Sequence, residues 1–162
     1  MPDARMRAFL GFIAAAISVL TFHQGTLALL HGLGFTPFVP YRSTPVPPLA
    51  IPYIADVCFW TGLYGAVFGF LSPRFTLPLW ACGLVLGFIA ALIAMFAVAP
   101  IKGYPFAFGW QPWPMARSLL INGAWGFGVG VILPMLMPRD DRAVNVPTAP
   151  SAQADARGLL PH

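Results

Sequence analysis

Seven side chains could do chemistry in an otherwise apolar sequence: His23, Gln24, His31, Asp56, Lys102, Arg117 and Asn122. Histidine and aspartate carry protons or bind metals, lysine and arginine hold anions, and the amides fix hydrogen bonds. On a helix turning 100° per residue, His23, Gln24 and His31 share an arc of about 100°, with His31 about 12 Å nearer the outer end. Asp56 shares an arc of about 80° with Tyr53, Trp60 and Tyr64. It is the only acidic residue between Asp3 and Asp140. Three cations lie at a similar depth: Arg117, Lys102 and His31. Asp56 and Arg117 are expected to form a clamp between two helices, the alternative being proton or ligand handling by Asp56. Asn122 and Trp125 continue the face below Arg117. Together these residues would line an outward-opening polar pocket floored by His23 and Gln24 near the bilayer middle. The competing reading has the same groups bridging neighbouring helices by hydrogen bonds. Haem or metal ligation by His23 or His31 is a further alternative. Two histidines eight apart on one helix cannot both be axial to one haem, and no other apolar run supplies a third, so no metal and no cofactor are expected.

Other reaction classes lack their residues. The chain contains no glutamate, no Gly-x-x-x-x-Gly-Lys, no His-Glu-x-x-His and no Cys-x-x-Cys. Small multidrug exporters of similar size place an essential glutamate in their first helix, where this chain has His23 and Gln24. Cys58 and Cys82 read as small packing residues at different depths, which disfavours a disulfide. An enzyme is not the expected reading.

The elements that must position these groups are apolar runs at 8–33, 50–71, 77–99 and 115–136, which take up more than half of the 162 residues. Each is long enough for a helix to cross the hydrocarbon layer, about 20 residues. Asp56 and Arg117 are the only full charges inside them. Mean hydropathy is +0.75 and only 9% of residues are charged, far from the roughly 25% of a soluble chain. The predicted fold class is therefore an all-α membrane protein: four transmembrane helices in a compact antiparallel bundle spanning residues 1–137. The net charge of +4 sits at helix ends, which excludes nucleic acid as the partner it would suggest in a soluble protein. The lipid bilayer is the expected partner, with a homo-oligomer or a membrane complex as further ones.

Orientation follows from the basic residues. Arg5, Arg7, Arg74, Arg139 and Arg142 fall on one side, against Arg42, Lys102 and Arg117 on the other, so both termini are expected in the cytoplasm of a bacterial inner membrane. The first run is too long for a secretory signal and is read as an uncleaved helix. Residues 138–162 lack apolar periodicity and are expected to form a disordered cytoplasmic tail. Rows of small residues, Thr61/Gly65/Gly69, Gly83/Gly87/Ala91 and Gly126/Gly130, predict close helix contacts. A faint repeat relates Trp60, Gly65, Leu71, Pro73 and Arg74 to Trp125, Gly130, Leu136, Pro138 and Arg139, as two tandem hairpins would. The outer connections are a Pro-rich stretch, 34–48, expected to be extended, and an aromatic stretch, 100–114, expected to lie along the interface as a cap.

Phe22-His23-Gln24-Gly25 with Leu29-Leu30-His31, the Pro-rich connection, Phe59-Trp60-x-Gly62 and Asn122-Gly123-x-Trp125-Gly126 resemble a group of small uncharacterised bacterial four-helix integral membrane proteins. The resemblance implies the architecture and no activity. The expected role is a binding, accessory or transport component, with a quinone- or haem-linked redox subunit and a small proton-coupled transporter as alternatives.

Overall fold

A computed structural model of the chain describes residues 3–47 and 50–138. Pro48, Arg139, Arg142 and the expected tail beyond Pro138 lie outside the described residues.

Among the described residues four helices are long and apolar enough to cross a membrane: α1 (Ala4–Gly32), α2 (Tyr53–Leu71, continued by a short turn to Arg74), α3 (Leu79–Ile101) and α4 (Pro112–Leu136). The chain is an all-α membrane protein. Each helix begins where local chemistry allows it. The Asp3 carboxylate accepts the Met6 N–H at 2.7 Å and caps α1, so the helix takes in Arg5 and Arg7, which the hydropathy pattern leaves out. α2 starts at Tyr53 rather than Ala50 because Ile51–Pro52 (β2) pairs antiparallel with Pro45–Val46 (β1). α4 starts earlier than expected, with Pro112 in its first turn, where a missing N–H costs nothing.

Packing proceeds in antiparallel pairs. α1 lies against α2, α3 against α4, and α1 and α4 join the two hairpins, whereas α2 and α3 hardly touch despite the short turn between them. The order across the molecule is therefore α2, α1, α4, α3. Backbone contact between glycines explains both hairpins. A Cβ on Gly65 would collide with the Gly11 carbonyl and the Ala15 methyl, and one on Gly126 with the Gly83 carbonyl and the Gly87 backbone. The expected small-residue rows are thus contact surfaces. Their partner in α1, the row Gly11, Ala14, Ala15 and Ser18, was not among them.

The core sits where the hairpins meet: Ala14, Ala15 and Val19 of α1, Phe68 of α2, and Trp125, Val129 and Leu133 of α4. Two hydrogen bonds cross it. Ser18 Oγ donates to the Trp125 carbonyl at 2.6 Å, and Trp125 Nε1 donates to the Ala15 carbonyl at 3.1 Å. In a medium without water such bonds are the way a buried polar group is satisfied. The first helix of each hairpin also contains one π-helical stretch, Val19–His23 in α1 and Ala94–Val98 in α3. Such stretches take an extra residue into the turn and loosen the regular bonding ladder, often beside functional groups.

Candidate functional site

The π-helical stretch of α1 runs directly into the two most deeply set of the candidate residues. Gln24 is buried and His23 half-buried. Since Gly65 lies against Gly11 and Ala15, the antiparallel register puts Tyr53, at the start of α2, level with this turn. The outer turns of α1 therefore stand above the end of α2, and the Pro-rich loop comes down beside them to reach it.

Tyr41 marks the bottom of that descent. Its backbone N–H donates to Gln24 Oε1 at 2.8 Å, and its hydroxyl donates to the Leu20 carbonyl, inside the π-helical stretch, at 2.8 Å. Its φ is +53°, a conformation uncommon for a bulky side chain, which local contacts must hold in place. The Arg42 and Thr44 carbonyls then accept the Ile54 and Tyr53 N–H groups, leading straight into α2. The floor expected for an outward-opening pocket is thus covered by a loop of the same chain. The sequence signal for Tyr41 was weak, a tyrosine next to Pro40 in an irregular segment.

This contact also assigns the protons. Because Gln24 Oε1 accepts from Tyr41, Gln24 Nε2 is the donor to His23 Nδ1, at 3.3 Å. His23 Nδ1 is then the unprotonated nitrogen of a neutral ring, and Nε2 carries the hydrogen. Nε2 has no hydrogen-bond partner among the described residues. At His31 it is Nδ1 that carries a hydrogen. Its Nδ1 lies 3.1 Å from the Thr36 carbonyl, which can only accept.

Thr36, buried although it belongs to the loop, gathers a second group. Arg117 Nη1 donates to Thr36 Oγ1 at 3.4 Å, and its guanidinium stands 4.7 Å above the Phe38 ring. Trp113 Nε1 donates to the Phe35 carbonyl at 2.9 Å. The outer ends of α1 and α4 are tied through the loop, with His31 exposed beside the tie.

The expected clamp between Asp56 and Arg117 is absent. Asp56 Oδ1 instead accepts from Trp60 Nε1, one turn on in α2, at 3.0 Å. Arg42 stands near the start of the same helix, its guanidinium 4.3 Å over the Tyr53 ring. The physical reason is depth. Arg117 lies level with the last turns of α1 and Thr36, whereas Asp56 lies level with its π-helical stretch. Asn122 donates to the Ser118 carbonyl of its own helix at 2.9 Å, and Lys102 is exposed at the end of α3. The seven candidates therefore occupy separate places: His23 and Gln24 under the loop, His31 and Arg117 at Thr36, Asp56 against Trp60, Asn122 along α4, and Lys102 at the surface. Asp56→Asn should then cost well under 1 kcal/mol, and a double-mutant cycle with Arg117→Gln should show near-additive effects on thermal stability. Coupling of several kcal/mol would restore the clamp.

The second outer connection is held differently. Phe106 and Trp110 pack edge-on against Phe96 of α3, with ring centroids 5.2 and 6.0 Å away. Ala107, Phe108, Gly109 and Trp110 between and beside them all have positive φ, a left-handed turn costing about 1–2 kcal/mol per non-glycine residue. The aromatic contacts hold that turn against the bundle.

Among the described residues no group of three or more His, Cys, Asp or Glu side chains could hold a metal ion, and Cys58 and Cys82 are free thiols. No protein-family model, no curated protein and no solved structure matches this chain, so its own geometry carries the functional argument.

Proposed function

We propose that this chain is a small membrane-resident binding component, accessory rather than catalytic, whose site is the His23–Gln24 turn of α1 under the first outer loop. The observation that carries this reading is the attachment of Tyr41 to Gln24 and Leu20. A buried amide is satisfied by a loop, not by a neighbouring helix, and a loop can leave. A ligand entering from the outer leaflet would replace two hydrogen bonds and meet a histidine N–H. Loops positioned on a rigid scaffold are where binding residues concentrate.

The donor at His23 Nε2 favours one variant of this reading, a quinone-linked role. A quinone carbonyl accepts a hydrogen bond, whereas haem iron needs a ring nitrogen with its lone pair free. Arg42 is exposed one residue beyond the anchor, which supplies the test. Gln24→Ala leaves the Tyr41 N–H without its acceptor, a cost of about 1–3 kcal/mol, and each 1.4 kcal/mol opens the loop tenfold. Trypsin should therefore cut after Arg42 roughly tenfold faster in Gln24→Ala, and a short-chain benzoquinone should alter that rate in the unmutated protein. An unchanged rate in the variant would mean that Gln24 does not hold the loop down. A rate indifferent to the quinone would remove the quinone-linked role.

A bacterial inner membrane with both termini in the cytoplasm fits the arginines at the ends of α1 and α2. A reporter fused after Pro138 should be active only in its cytoplasmic form. Activity only in its exported form would invert the topology.

A further inference from the structure

We propose that the outward face of α3 and α4 binds one anionic membrane lipid, its headgroup on Arg117 and one chain in an apolar groove below. This site is separate from the loop-covered turn at His23 and Gln24 and does not depend on it.

The groove encloses about 330 Å³ between Leu84 and Phe88 of α3 and Leu119, Leu120, Gly123 and Ala124 of α4. Its lining is wholly apolar, and it lies within the membrane-crossing part of both helices. Gly123 creates much of the space: a Cβ there would meet only the Phe88 ring, at 3.6 Å. Neighbouring glycines of α4 press against the α3 backbone, whereas this one leaves a hollow. A hydrocarbon chain fits such a surface, and neither α3 nor α4 carries an acidic residue to repel an anionic headgroup.

Charge and register select the headgroup. Arg117, Leu120 and Ala124 are spaced three and four apart, so they share one face of α4. Arg117 stands toward the outer end, about 5–10 Å above these groove residues at 1.5 Å per residue. Its guanidinium has five N–H donors, of which one makes a bond, a long one to Thr36 Oγ1 at 3.4 Å. No other described residue takes the rest. A lipid phosphate would accept them as a charge-assisted pair, and the exposed His31 ring flanks the same threonine. Snorkelling to bulk water is the ordinary fate of an arginine at this depth, but here the side chain is held over Phe38 and against Thr36, on a helix whose next turns line the groove.

The test uses the full chain in nanodiscs containing equal phosphatidylglycerol and phosphatidylcholine, released and weighed by native mass spectrometry. The unmutated protein should retain one phosphatidylglycerol at least fivefold over phosphatidylcholine. Arg117→Gln should bring that ratio towards one. Gly123→Leu and Ala124→Leu, which fill the groove and leave the arginine, should lower retention of both lipids severalfold. If one groove variant fails to fold, the other supplies the result. Equal retention of the two lipids by the unmutated protein, or full preference in Arg117→Gln, overturns the proposal. So does a dimer that the groove variants separate with lipid retention unchanged, which would assign the groove to a second copy.

Discussion

Gly65→Leu should force the first hairpin apart and destabilise it, whereas Gly25→Leu, the same substitution at a glycine whose Cβ would touch nothing, should be tolerated. A Cβ on Gly65 has no room: the Gly11 carbonyl and the Ala15 methyl already occupy its place, and both belong to a helix that would have to retreat bodily. Overpacking costs 1–3 kcal/mol even where side chains alone must move, and here backbone must move. The expected loss is about 3 kcal/mol or more, seen as a severalfold fall in the amount of protein in the membrane and a lower thermal midpoint in detergent. Gly25 faces open space, with nothing within 4 Å of a built Cβ, so its variant should match the unmutated protein. Equal behaviour of the two variants would mean that α1 and α2 do not pack through their glycines.

That contrast also marks how far the sequence could be read. Gly65 and Gly69 stand four apart in an apolar run, and without a hydrophobic effect between helices only close packing makes such spacing useful. What they pack against was hidden, because Gly11 is a single glycine among alanines and carries no pattern of its own. The loops show the same limit. Pro37, Pro40, Pro45 and Pro47 say that the first connection is not helical. They say nothing of where it goes, since that depends on one hydrogen bond between residues 17 apart, Tyr41 and Gln24. Asp56 and Arg117 were paired in the sequence because charges in a membrane need partners. The fold satisfies each within its own neighbourhood, through Trp60 for one and Thr36 and Phe38 for the other.

The repeat relating Trp60 to Trp125 leads to the other large effect, because the two tryptophans match in sequence and differ completely in surroundings. Trp60 is 56% exposed on α2, where it donates to Asp56 and would face lipid. Trp125 is 0% exposed. It stands edge-on to Tyr64 of α2 with centroids 6.5 Å apart, its indole N–H holds the Ala15 carbonyl, and its own carbonyl receives Ser18 Oγ. Since α2 and α3 scarcely meet, the join between the hairpins rests on α1 against α4, with this side chain at its centre. Trp125→Ala should cost about 3–5 kcal/mol, and leaves the Ala15 carbonyl without its added bond. Trp60→Ala should cost less than about 1 kcal/mol, because lipid fills the space. Trp125→Phe separates the two parts of the effect: it keeps most of the volume and loses the N–H, so it should fall between them. Thermal unfolding of the three variants in one detergent measures this order. Similar losses for Trp60→Ala and Trp125→Ala would mean that the hairpins are equivalent in packing as well as in sequence, and that the α1–α4 contact is not the centre of the fold.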